Sequence, residues 1–342
     1  MNVSVGDFAF VFPGQGSQIV GMGRAVYELS ARARETFEEA DRILGYPLSK
    51  ICFDGPPERL NDTTVAQPAV LATSVAILEA LVESVNDRLG RRATDGGEPR
   101  GVAAMPSALR PQFVAGHSLG EFTALVAAGV LSFQDALRLV SERGRLAASR
   151  GAKGAMAAIV GLNADEVDRV IRETLPLGSA VVANDNGPAQ VTIAGDNDSI
   201  ARVSEELTRH GARKVVPLRI SAPFHFPDMG RIGPDLAAFM RTLHFREPVV
   251  PIVANVSALP HPDAAAIPDA LVRHLSSRVE WLRSVRYMVE RGASTFVEIG
   301  AGQVVNGLVK RIADVKLVNV ADPPSIAGAI ATLRARAVGT QP

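Results

Sequence analysis

The sequence predicts an α/β protein: a large domain on a largely parallel sheet, formed by residues 1–150 and 222–342, with a small α+β domain inserted at 151–221. Three observations carry this. Short strands near 8–12, 113–117, 250–254 and 295–299 alternate with helical stretches, the pattern of a largely parallel sheet covered on both faces. Gly116-His117-Ser118-Leu119-Gly120 reads as a sharp strand-to-helix turn. Between Gly151 and about Ser221 the character changes to shorter strands and polar helices.

In chain order, Phe8–Phe12 is a buried-type strand that breaks at Pro13-Gly14-Gln15-Gly16-Ser17-Gln18, a loop with unpaired backbone N–H groups. The loop carries neither a third glycine at dinucleotide-binding spacing nor a Gly-Lys-Ser/Thr ending, which argues against a nucleotide site. Arg91 to Arg110, rich in Gly, Pro and Arg, reads as an exposed loop. Pro111–Ala115 leads as a short strand into the Ser118 turn, and Glu121–Val130 leaves it as an apolar helix. The G-x-S-x-G turn lifts a serine hydroxyl off a strand end, which makes the large domain α/β-hydrolase-like and predicts acyl transfer through a serine ester. Its glycines sit where chain segments pass too closely for a Cβ. Beside this turn, an N–H of the 13–18 loop and the N–H of Leu119 are placed to form an oxyanion hole. In the insertion, strand 156–160, helix 164–174, strands 181–183 and 191–194, helix 198–210 and strand 214–218 follow the β-α-β-β-α-β order of a ferredoxin-like unit.

Composition narrows the function classes. With 342 residues, 47% of them hydrophobic, the chain can bury a large core. Lys+Arg and Asp+Glu are both 36, and no basic run is interleaved with aromatics, which argues against nucleic acid as a partner. Cys52 is the only cysteine, as suits a reducing cytoplasm. No apolar run reads as a membrane span and no signal-peptide pattern precedes the first strand, so the expectation is a cytoplasmic enzyme without a membrane partner.

FVFPGQGSQ at the start, GHSLGEF near residue 120, Arg143 in Val140–Gly144, and Ala222-Pro223-Phe224-His225 together resemble the malonyl-CoA:acyl carrier protein transacylases of fatty-acid and polyketide synthesis. Lesser matches are Thr64–Ala69, Gly154–Ala158, Pro188–Gly195 and Glu298–Gly300, so the likeness runs from Phe8 to about Leu333.

This resemblance implies a set of roles. Ser118 is the nucleophile and His225 its base, while the backbone N–H groups of Gln15 and Leu119 hold the oxyanion. His117 bonds the bound acyl group. The base is oriented by a main-chain carbonyl rather than a carboxylate, and the matching position is His274, where the family has glutamine. Arg143 alone reads as part of a solvated helix face with Arg138, Arg145 and Arg150; its place in the pattern makes it the clamp for the malonyl carboxylate. Phe224 resembles the bulky residue of malonyl-selective members.

Phe226-Pro227-Asp228 departs from the family pattern: an aromatic at 226 narrows the thioester entrance or alters the accepted acyl chain, and Asp228 has no sequence-level account. Lys310 and Arg311 are candidates to receive an acidic carrier protein, against their reading as ordinary surface charge. The expected partners are malonyl-CoA and an acyl carrier protein, with no metal or other cofactor and a monomeric enzyme. A thioester hydrolase on the same scaffold and a non-catalytic carrier-docking subunit are the competing readings; Arg143 argues against the first, and Ser118 with His225 against the second.

Overall fold

The computed structural model describes residues 7–90, 100–218, 220 and 222–339. Among the described residues nine strands form two sheets. The first contains β1 (Phe8–Phe12), β2 (Phe113–Gly116), β7 (Ile252–Val253), β8 (Thr295–Ile299) and β9 (Lys316–Val320), in the order β7-β2-β1-β8-β9 with every pairing parallel. The second contains β3 (Ala155–Val160), β4 (Ala180–Gly187), β5 (Gln190–Gly195) and β6 (Lys214–Pro217), in the order β4-β5-β3-β6 with every pairing antiparallel.

The central strands are buried on both faces: β1 is an unbroken apolar run, and β8 buries its Glu298 by accepting the Val305 and Asn306 N–H groups. Successive side chains of β1 alternate between two cores. Phe8, Phe10 and Phe12 face the core that holds helix Thr63–Asp87, whereas Ala9 and Val11 pack with Trp281 and Phe296. Phe12 pairs with Gly116 at the end of the β1/β2 ladder. The loops that follow, 13–18 and 117–119, therefore leave the sheet side by side at its carboxyl edge, where open parallel sheets bind ligands.

Several sequence expectations need correction. β7 spans two residues instead of 250–254, because beyond Val253 the chain turns back and bridges Val253 to Pro260. β9 carries no strong apolar run; as an edge strand it needs only one hydrogen-bonding neighbour and leaves Lys316 exposed. The apolar helix after the turn is Gly120–Ala127, shorter than 121–130. β4 runs on through Asn184-Asp185-Asn186, whose residue types signal a turn. Pairing with β5 overrides that signal, with register shifts at Val182/Asn184 and Asp185/Gly187.

Of the loop expected at 91–110, residues 91–99 lie outside the described residues. The remainder is not simply exposed: two 3-10 turns, Gly101–Ala104 and Ser107–Leu109, bury Val102, Met105 and Leu109, and the Gly101 N–H donates to buried Glu79 at 2.8 Å. The expectation that no run reaches membrane-span length also needs correcting. Helix Thr63–Asp87, 25 residues with a mean hydropathy of 1.8 over its most apolar window, is long and apolar enough, but that window is wholly buried in the protein and the helix is its core.

Candidate active site

The strand-to-helix turn is tight enough to exclude side chains. A Cβ on Gly116 would lie 1.8 Å from the Gly120 carbonyl carbon, and one on Gly120 would lie 2.2 Å from the Phe12 oxygen. Ser118 takes φ 52°, a left-handed conformation costly for a non-glycine residue and characteristic of positions held by their surroundings. The 13–18 loop presses on this turn, with a Cβ on Gly14 falling 2.4 Å from the His117 oxygen and 3.5 Å from the Leu119 nitrogen.

Ser118 Oγ lies 2.8 Å from His225 Nε2. The other ring nitrogen of His225, Nδ1, donates to the carbonyl oxygens of His274 at 2.9 Å and Ser277 at 3.1 Å. With its proton held there, Nε2 is left as the acceptor facing the serine hydroxyl. His225 itself sits at φ 66° and is tied through its N–H to the Leu275 oxygen at 2.8 Å. Burial, then the positive charge of Arg143 and the proximity of His117, push the His225 pKa down to about 3. The imidazole is thus neutral and competent as a base throughout the physiological range. Acylation of Ser118 is accordingly expected to show no inflection as pH is raised through about 6.5, the ordinary histidine value, whereas an exposed base would gain activity there. Single-turnover acylation rates between pH 5.5 and 8 check this.

A cleft of about 400 Å³ opens over the pair, lined by Gln15, His117, Ser118, Phe224 and His225 together with Asn184, Asn186 and Gln190 of the antiparallel sheet. The bulges in β4 thus bring polar residues to the cleft. His117 Nε2 and Asn186 Oδ1 are 2.7 Å apart, the His117 ring meets Trp281 edge-on at 5.5 Å, and burial holds the His117 pKa below its usual value. Its Nε2 is therefore read as the donor to Asn186.

Arg143 comes from helix Phe133–Arg150 and is 2% exposed, not part of a solvated face. Nη1 donates to Gln67 Oε1 at 2.7 Å, and the guanidinium carbon lies 3.9 Å from the Phe224 ring centroid and 5.6 Å from that of Phe122. Nε and Nη2 have no hydrogen-bond partner among the described residues. Burial lowers its pKa to about 9, so it still carries its charge at neutral pH. A buried cation with free donors is an anion site in waiting.

Not every predicted residue reaches the cleft. Leu119, Arg143 and His274 lie behind its lining. Phe226 does not narrow the entrance: it is buried in the hydrophobic core, outside the cleft lining, because the 3-10 turn Pro227–Ile232 begins there and folds its ring inward. Asp228 is an exposed ion-pair partner of Arg231 at 3.3 Å. Lys310 and Arg311 are exposed on helix Val304–Ile312, and Arg311 donates to Gln190 at the cleft rim. Among the described residues no group of three or more His, Cys, Asp or Glu is gathered to hold a metal ion.

Sequence reading missed Gln67, Asn186, Asn255 and Ser277. Gln67 falls within Thr64–Ala69, one of the stretches that carry the family resemblance, which was the one signal for it; Asn186, Asn255 and Ser277 carry none.

Residues 9–86 and 102–324 match the acyl transferase domain family. The chain is 38% identical over 330 residues to the malonyl CoA-acyl carrier protein transacylase of Bacillus subtilis, covering 95% of this chain and 97% of that protein. It superposes with a TM-score of 0.83 on an acyl carrier protein S-malonyltransferase from Vibrio cholerae, at 38% identity over 94% of this chain and 99% of that one. A malonyl-transacylase solved in complex with its type II PKS acyl-carrier protein gives 0.84 at 37% identity, covering 95% and 99%. With identity at this level over nearly the full length of each, and a serine–histidine pair beneath a buried arginine, the chain belongs to the malonyl-CoA–acyl carrier protein transacylase family.

Proposed function

We propose that this protein transfers malonyl from malonyl-CoA to the phosphopantetheine thiol of an acyl carrier protein, in fatty-acid or polyketide synthesis, through malonyl-Ser118. The reading rests above all on one arrangement: a hydrogen-bonded Ser118–His225 pair backed by a buried guanidinium with unused donors.

In the first half-reaction His225 Nε2 takes the Ser118 hydroxyl proton as Oγ attacks the thioester carbonyl. The N–H groups of Gln15 and Leu119 stabilise the tetrahedral oxyanion. The C–S bond then breaks and the coenzyme A sulfur receives the proton from His225. In the second half-reaction the carrier thiol gives its proton to His225 and attacks the serine ester. The C–O bond breaks, the proton returns to Ser118 Oγ, and malonyl leaves on the carrier. Arg143 pairs with the distal carboxylate throughout, while His117 turns to the acyl group the Nε2–H that it gives to Asn186 in the free protein, and Phe224 crowds any 2-methyl branch.

The large body, residues 1–150 and 222–342, is read as α/β-hydrolase-like, because its nucleophile turn ends a parallel strand. Residues 151–221 are read as an inserted ferredoxin-like domain, in keeping with the β4-β5-β3-β6 order. The same reading makes the protein a cytoplasmic, monomeric enzyme whose single cysteine stays reduced.

Intact-mass spectrometry after incubation with malonyl-CoA or acetyl-CoA, followed by holo carrier protein, tests the function. A malonyl adduct that moves to the carrier is expected; an adduct lost only to water would make the protein a hydrolase. Within the pair, His225→Ala is expected to slow both half-reactions by at least about 10²-fold, the usual cost of losing a general base. His274→Gln is expected to leave both near the wild-type rate, since residue 274 contributes its main-chain oxygen. Rapid-quench rates for the two variants check this.

A further inference from the structure

Asn255 follows β7, which stops after two residues and leaves the end of β2 unpaired on the side away from β1. Its carboxamide stands in for the missing peptide unit. Oδ1 accepts the Ser118 N–H at 2.7 Å and Nδ2 donates to the Gly116 oxygen at 2.7 Å, a two-bond clip across the strained turn. The main chain of Asn255 is committed as well. Its N–H donates to Glu121 Oε2 at 3.0 Å, and its oxygen accepts the Glu280 N–H at 2.8 Å. Glu121 is buried and its other oxygen accepts from His261 Nε2 at 3.0 Å, so the anchor is itself held. Glu280 lies three residues beyond Ser277, whose carbonyl accepts the His225 proton.

We propose that Asn255 is a positioning residue for acyl transfer: its side chain locks the Ser118 turn, and its main chain ties that turn to the 274–280 segment that orients His225. One buried residue thus holds both halves of the pair in register. Resting on the Ser118–His225 reading above, this adds a determinant of the distance between them. Asn255 touches neither substrate nor reacting atoms, so its loss should appear in the rate of acylation and not in substrate affinity.

The test compares wild type, Asn255→Ala and Asn255→Asp. It measures the single-turnover rate of Ser118 malonylation across pH and, in a Ser118→Ala background, the affinity for malonyl-CoA by calorimetry. Asn255→Ala is expected to lose about 10²-fold in acylation, the scale of a small misplacement of reacting groups, with affinity unchanged. In Asn255→Asp a protonated carboxyl can donate to the Gly116 oxygen while its carbonyl accepts from Ser118, whereas the carboxylate opposes oxygen to oxygen. Burial raises the pKa of such a group, so the variant's rate is expected to climb towards that of wild type as pH falls from 8 to 5.5, while wild type stays flat. Folded variants that acylate at the wild-type rate, or that lose affinity in step with rate, would overturn the proposal. So would a failure of both variants to fold, which would make Asn255 a requirement of folding. A wild-type protein that takes up no malonyl at Ser118 would instead refute the function on which the inference rests.

Discussion

Ser118→Ala is expected to leave no covalent adduct with malonyl-CoA and to reduce transfer to the carrier by up to about 10⁶-fold, the scale of loss when a serine nucleophile is removed from its base. The physical basis is that no other nucleophile is offered to the same base: Ser118 Oγ alone is within hydrogen-bond distance of His225 Nε2 among the described residues. Cys52, the strongest intrinsic nucleophile in the chain, is buried, and its pKa is pushed up to about 12 by that burial. The fold should survive the change, because the Ser118 N–H remains bonded to Asn255 and the glycines on either side still permit the turn. Peptide mapping of the malonylated wild type, beside intact mass for the variant, checks both halves. A stable malonyl adduct on any other residue would overturn the assignment.

Arg143→Ala is expected to separate dicarboxylic from neutral acyl groups. Breaking a buried ion pair by removing one partner costs about 3–5 kcal/mol, or roughly 10²- to 10³-fold and more in kcat/KM. Malonyl transfer should fall by about that factor, whereas acetyl, with no carboxylate to pair, should lose little or gain. Stability provides a second readout with a different sign. Among the described residues the guanidinium is buried with one hydrogen bond, to Gln67, and no carboxylate, so its desolvation is poorly compensated. Arg143→Met, which keeps much of the side-chain volume against Phe122 and Phe224, is therefore expected to unfold at a temperature no lower than wild type while losing malonyl selectivity. Steady-state kinetics on both acyl-CoA thioesters and thermal denaturation of both variants decide it. An equal loss on malonyl and acetyl would make Arg143 structural.

The parts of the site legible in the sequence are those whose requirements are local. Gly116 and Gly120 are demanded by approaches of 1.8 and 2.2 Å within or beside one turn, so the motif announces the geometry wherever it stands. The apolar run of β1 announces burial on both faces for the same reason. Ser118 stands in such a motif, whereas His225 and Arg143 are marked only by the family resemblance, and the structure gathers the three around one cleft or directly behind it. The groups that hold them lie far away in sequence. Gln67 reaches Arg143 across 76 residues, Asn186 reaches His117 across 69, and Asn255 reaches Ser118 across 137. Each is a single polar residue with no periodicity or spacing to mark it.

The sequence by itself determined the parallel sheet and the strained nucleophile turn, because backbone sterics and the period of apolar residues act over a few neighbours, whereas the pairing of His225 with Ser118 was legible only through the family resemblance. Only the tertiary structure decided the environment of those groups. It buried Arg143, which reads as one of four arginines on a solvated helix, and removed Phe226 from the cleft it was expected to narrow. It also turned Asn184-Asp185-Asn186 from a loop signal into a strand facing the site. Burial and hydrogen-bond partnership depend on which distant segments fold over a residue; the residue's own neighbours do not record them, and here they keep His225 neutral and leave Arg143 buried with unused donors.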